Sequence, residues 1–105
     1  MKLRLSSGNI VFKISRKEAK ILAVRKKITE DIFLPDATKI SVQIVLSDDT
    51  RKIQFTCIKT LMRLILSEIL LIKLMESSSK DGITNEYIIN NKAICFTLLI
   101  DIRRD

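Results

Sequence analysis

The chain has 105 residues, 47% of them hydrophobic, with only two glycines and one proline; this excludes a disordered or low-complexity protein and predicts one domain spanning 1–105. A folded chain of this size buries roughly 65% of the surface its unfolded form exposes, so a core is attainable without staples. The net charge of +7 attracts polyanions at long range; solubility, or the Lys and Ile excess of an AT-rich genome, explains the same balance without a ligand.

Leu3 and Leu5 alternate with Lys2 and Arg4, and Ser6-Ser7-Gly8-Asn9 supplies turn chemistry. Ile10, Phe12 and Ile14 then alternate with Val11 and Lys13. This predicts a hairpin with one apolar face. Ser15 and Glu18 have capping-box spacing, which opens a helix from Arg16 to about Val24. Period two returns at Ile28 to Leu34 and Ile40 to Leu46, with Pro35-Asp36 fitting positions i+1 and i+2 of the turn between them.

Asp48-Asp49 marks another turn, after which Ile53, Phe55 and Cys57 alternate with polar residues. From Leu61 to Met75 apolar residues fall on every side. A single helix capped by Thr60 is the default for such a run; the repeat described below favours a strand from Leu61 to Leu66, Ser67 as N-cap and a helix from Glu68 to Glu76. Arg63, Glu68 and Lys73 leave this run short of the roughly 20 mostly uncharged residues of a membrane span. Asp81-Gly82 introduces the last strands, Ile83 to Ile89 and Ile94 to Ile102, separated by Asn90-Asn91, which tolerate positive φ.

The order strand, Ser, helix, strand, turn, strand thus occurs twice. Val11-Phe12-Lys13-Ile14-Ser15 answers Arg63-Leu64-Ile65-Leu66-Ser67, and Ile28-Thr29-Glu30-Asp31-Ile32 answers Ile83-Thr84-Asn85-Glu86-Tyr87. The predicted class is α+β: a β-β-α-β-β unit used twice, in halves of about 1–49 and 50–105. The expected arrangement is a mainly antiparallel curved sheet or partly closed barrel covered by two helices.

The chain contains no histidine, which removes the usual neutral-pH general base, the Ser-His and Cys-His nucleophile pairs and the commonest metal ligand. Cys57 and Cys95 cannot supply a four-ligand zinc site, and both read as buried thiols of a reducing cytosol, with no secretory leader before the first strand. Two glycines, Gly8 and Gly82, allow neither a G-x-G-x-x-G nor a P-loop. The paired carboxylates Glu30-Asp31 and Asp48-Asp49 point to opposite faces of a strand or belong to a turn. The expectation is a cytoplasmic protein with no catalytic residue, cofactor or metal.

Two features point to binding. Lys13, Arg16, Lys17, Lys20, Arg25, Lys26 and Lys27 cluster; at helical spacing Arg16, Lys20 and Lys27 project within about 40° of one another with Lys17 beside them. This stripe is either an anion or nucleic-acid surface or a solvated helix face. With no Trp and one Tyr, stacking platforms are scarce, so nucleic-acid binding would be backbone-directed. The second helix is apolar nearly all round; Leu70, Ile72, Leu74 and Met75 are therefore read as a homodimer or partner-protein interface, the alternative being a deeply buried core helix.

The K-L-R-L opening strand, the Gly-Asn turn, the I-V-F-K-I-S-R-K-E strand-to-helix junction and the closing L-L-I-D-I-R-R-D resemble a family of short bacterial proteins of unknown function. The resemblance spans most of the chain and carries Arg4, Asn9, Ser15 with Glu18, and Asp101. It implies a shared fold and no known activity. The sequence departs most between Cys57 and Ser79, which is far more apolar than a surface helix requires.

Overall fold

The computed structural model describes residues 1–48, 51–76 and 82–101. In chain order the elements are β1 (Lys2–Ser6), β2 (Asn9–Ser15), α1 (Arg16–Arg25), β3 (Lys27–Phe33), β4 (Lys39–Leu46), β5 (Gln54–Ile58), β6 (Leu61–Leu66), α2 (Glu68–Glu76), β7 (Ile83–Ile89) and β8 (Lys92–Asp101). The apolar run from Leu61 divides at Ser67, as the repeat requires. Asp49 and Asp81 of the expected turns, and Ile102 of the expected last strand, lie outside the described residues.

Local chemistry sets the boundaries. Ser15 Oγ accepts from the Glu18 amide and the Glu18 carboxylate accepts from the Ser15 amide, both at 3.0 Å, so the capping box forms in full. Lys26 adopts φ 67 and ends α1 by donating its amide to the Leu22 carbonyl. Pro35 and Asp36 occupy the centre of a turn closed by the Ala37 amide and the Leu34 carbonyl. Hydrogen bonds from Thr38, its backbone amide first, hold the Asp36 carboxyl below its ordinary range. Asn90 and Asn91 take φ 52 and 63 between β7 and β8.

The architecture is α+β with two helices, but it is neither one curved sheet nor a barrel. Two four-stranded mixed sheets form, ordered β1-β2-β8-β7 and β3-β4-β6-β5. Each hairpin is antiparallel within itself, while the central pairs β2–β8 and β4–β6 run parallel. The physical cause is that a helix intervenes between the two hairpins of each half, carrying the chain from one sheet to the other. Each sheet therefore joins a hairpin from the first half to one from the second.

The correspondence between halves extends to register. Leu3 opposes Phe12 as Phe55 opposes Leu64, Phe12 lies beside Leu98 as Leu64 lies beside Ile44, and Ile28 opposes Ile44 as Ile83 opposes Leu98. Even an isolated backbone bond recurs: Cys95 N to Gly8 O at 2.9 Å and Ser41 N to Thr60 O at 2.8 Å. Positions related in this way are twins.

Phe12, Ile14, Phe96 and Leu98 of one sheet and Val42, Ile44, Leu64 and Leu66 of the other are buried in one core with Ile53. Phe55 packs between Phe12 and Phe96, with ring centroids 6.0 Å from each. The helices pack against each other; α1 also meets strands of both sheets, and α2 meets β8. Along one open edge the Asn85 side chain donates to Ile53 O at 2.9 Å and the Phe55 amide donates to the Tyr87 hydroxyl at 3.2 Å. Along the twin edge the Met1 amino group lies 3.8 Å from the Glu30 carboxylate.

The thiols are not buried. Cys57 is exposed and Cys95 half-buried, and both are free. Cys57 lies near the end of β5, an edge strand, and Cys95 follows the outward phase of β8, next to inward-facing Phe96. Alternation identified the strands correctly without showing where cover ends.

Candidate interaction surfaces

The two helices are built alike on their inner sides. Ser15 caps α1, and Ser67 caps α2 by accepting from the Leu70 amide at 3.2 Å. Ala19 and Leu22 of α1 are fully buried, and their twins Leu71 and Leu74 are likewise buried in α2. Glu18 is further tied to the Met1 amino group at 2.6 Å. Burial alone would raise its carboxyl, but hydrogen bonds from that amino group and from Ser15 outweigh this and leave its pKa below 4.5.

Outward, the helices differ. Arg16, Lys17 and Lys20 are exposed on α1, as the cationic stripe requires. Lys27 does not join them: the helix ends at Arg25 and the left-handed turn at Lys26 places Lys27 at the start of β3, opposite Val45. On α2 the twins of Arg16, Lys17 and Lys20 are Glu68, Ile69 and Ile72. Ile69 is 66% exposed, Ile72 45% and Met75 40%.

Of the four residues read as an interface, Ile72 and Met75 face outward. Leu74, 5% exposed, belongs to the core, and Leu70 is half-buried against it. The outward set instead includes Ile69. Aligning the two helices on their serine caps supplies the missing signal, because the twins of Ala19 and Leu22 must turn inward. At the helix contact, Lys26 Nζ reaches the Glu68 carboxylate at 3.4 Å, an exposed pair that contributes little.

A second cationic surface has no contiguous signal in the sequence. Phe12 and Ile14 face the core, so Val11 and Lys13 face out, and with Lys2, Arg4 and Leu99 they line an open groove across β1, β2 and β8. Lys2 stands directly opposite Lys13 in the β1–β2 ladder. Lys13 Nζ lies 3.9 Å from the Asp101 carboxylate. On the twin face of the other sheet, Gln54, Thr56 and Ile65 stand where Lys2, Arg4 and Lys13 stand here. Arg63, at the position corresponding to Val11, is held by Gln43 at 3.1 Å.

The paired carboxylates of β3 diverge, Glu30 toward the amino terminus and Asp31 to the Ser41 hydroxyl at 2.9 Å. At the hairpin ends remote from the helices, Phe33 with Leu34 and the twins Ile88 with Ile89 are exposed. Among the described residues no helix is long and apolar enough to cross a membrane. The chain matches no family model, no curated protein and no solved structure.

Proposed function

We propose that this chain is a small non-catalytic cytosolic binding protein, built from a duplicated β-β-α-β-β unit, whose working surface is the outward side of α2. The observation that carries this reading is the exposure of Ile69, Ile72 and Met75 on a helix whose Leu71 and Leu74 already serve the core. Exposed apolar side chains grouped on one helix mark protein interfaces, and the twins of Ile69 and Ile72 on α1 are Lys17 and Lys20, so the fold itself does not require isoleucine there. The occupant is a second copy of the chain or a partner protein.

Sedimentation over a protein concentration series, with the Ile69→Lys/Ile72→Lys variant alongside, tests the reading. A dimer in the wild type and a monomer in the variant identify a second copy. A monomer throughout assigns the surface to another protein, provided a partner captured by the wild type is lost from the variant. Identical capture by both overturns the reading.

A second reading, polyanion or nucleic-acid binding, is favoured by a separate observation. Lys2, Arg4, Lys13, Arg16, Lys17 and Lys20 all lie in β1, β2 and α1, and none of their twins, Gln54, Thr56, Ile65, Glu68, Ile69 and Ile72, is basic. The six basic residues lie on neighbouring elements, so their attraction for polyanions adds locally.

A further inference from the structure

We infer that the groove across the outer face of β1, β2 and β8 is an anion site that takes the phosphodiester backbone of a nucleic acid; this rests on the polyanion reading and places its contacts away from α1. The groove is lined by Lys2, Arg4 and Lys13, with Val11 and Leu99 between them. The twin face provides an internal control. It has the same strand order and register, and it folds with Gln54, Thr56 and Ile65 at those positions, so the three cations are no requirement of the sandwich.

Their arrangement also carries a cost. Lys2 directly opposite Lys13 sets like charges side by side in an antiparallel ladder, which opposes pairing; the Asp101 carboxylate lies 3.9 Å from Lys13 Nζ. The twin pair, Gln54 opposite Ile65, avoids the repulsion altogether. A bound anion removes the repulsion by supplying the countercharge.

The shape of the site selects the ligand class. Lys2 and Arg4 alternate along one strand and so repeat roughly every 7 Å on one face, a spacing suited to successive charges on a chain. The groove is partly open to solvent and not an enclosed cavity, so a polymer can lie across it. No aromatic side chain lines it, so it has no stacking platform and would contact backbone with little sequence preference. A second hollow, lined by Lys2, Lys13, Ser15, Glu18 and Asp101, leads from the groove to the start of α1. Glu18 is already engaged there by the amino terminus and the Ser15 amide.

The test uses the full chain and labelled double-stranded DNA and RNA in fluorescence polarisation over about 50 to 300 mM salt. Three double variants are compared: Lys2→Glu/Arg4→Glu in the groove, Gln54→Glu/Thr56→Glu on the twin face, and Lys17→Glu/Lys20→Glu on α1. The groove variant is expected to weaken binding at least about tenfold and to lower the log-log salt slope by about two; the twin-face variant stays within about threefold of wild type. Arg4→Gln, with its fold verified by circular dichroism, replaces the groove variant if charge reversal unfolds it, and should lower the slope by about one.

Equal weakening by the groove and twin-face variants means net charge alone, and the site falls. Loss confined to the α1 variant removes the groove inference while the polyanion reading stands. Wild-type binding no tighter than that of a cationic protein of matched charge removes both. Binding of an acidic polypeptide in preference to either nucleic acid overturns the assignment to phosphodiesters.

Discussion

α1 and α2 occupy twin places, begin at twin serines and bury twin residues, yet they differ outward at two twin pairs, Lys17 and Lys20 on one against Ile69 and Ile72 on the other, although α1 also exposes Val24. The inward sides agree because both must fill the same kind of space against the core. The outward sides are free of that demand, so their divergence separates what the fold needs from what was added to it. The sheets repeat the lesson, with Lys2, Arg4 and Lys13 on one outer face and Gln54, Thr56 and Ile65 on the other.

The sharpest way to break the comparison is at the buried positions. Leu71→Ala opens a cavity in the core and should cost about 2–5 kcal/mol in chemical denaturation, while Ile72→Ala, one residue away and outward, should cost less than about 1 kcal/mol. Comparable losses would mean that the two sides of α2 are not distinct.

The approaches to β3 and β7 come next. Lys26 holds φ 67 before β3, whereas Gly82 holds φ 69 before β7, where an added Cβ would strike the Leu98 carbonyl oxygen and come within 2.5 Å of Leu99 Cδ2. Gly82→Ala should therefore lose about 2–4 kcal/mol, through strain and collision together. Lys26→Gly should be neutral or up to about 1 kcal/mol more stable. Thermal melts of the two variants measure the contrast.

The caps differ by one residue: Glu18 completes the box in α1, and its twin in α2 is Leu70. Ser15→Ala should cost about 1 kcal/mol. The lowered Glu18 pKa gives a stabilising contribution that is complete above the ordinary value of 4.5 and lost as pH falls through the lower folded value. The stability gap between wild type and Glu18→Gln should accordingly close on acidification through that window. A gap constant down to pH values well below it would show that the carboxylate charge is not what matters.

A similarly small effect is expected at the sandwich edges. Tyr87→Phe removes the acceptor of the Phe55 amide while keeping the ring against Phe96, centroids 4.8 Å apart, and should cost about 0.5–1.5 kcal/mol. Its twin, Ile32, has no hydroxyl to lose, so Ile32→Val probes packing only. Ile32→Val costing as much as Tyr87→Phe would indicate that packing, and not the hydroxyl, joins these edges.

By itself, the sequence determined the elements and their order. Strand alternation, the Ser15–Glu18 box, the Pro35-Asp36 turn and the break at Ser67 are local signals, each set by neighbours a few residues away, and the internal repeat resolved the one ambiguous segment. Tertiary structure alone decided which strands pair. Parallel contacts between β2 and β8 and between β4 and β6 join residues far apart in the chain, and alternation is equally compatible with one curved sheet. It also decided which apolar positions remain uncovered. An isoleucine on α2 and a leucine two residues later have the same local preference, and only the placement of the core behind the helix buries Leu74 and leaves Ile72 in solvent. The groove of Lys2, Arg4 and Lys13 arises in the same way, because β1, β2 and β8 must meet in register before their outward residues form one surface.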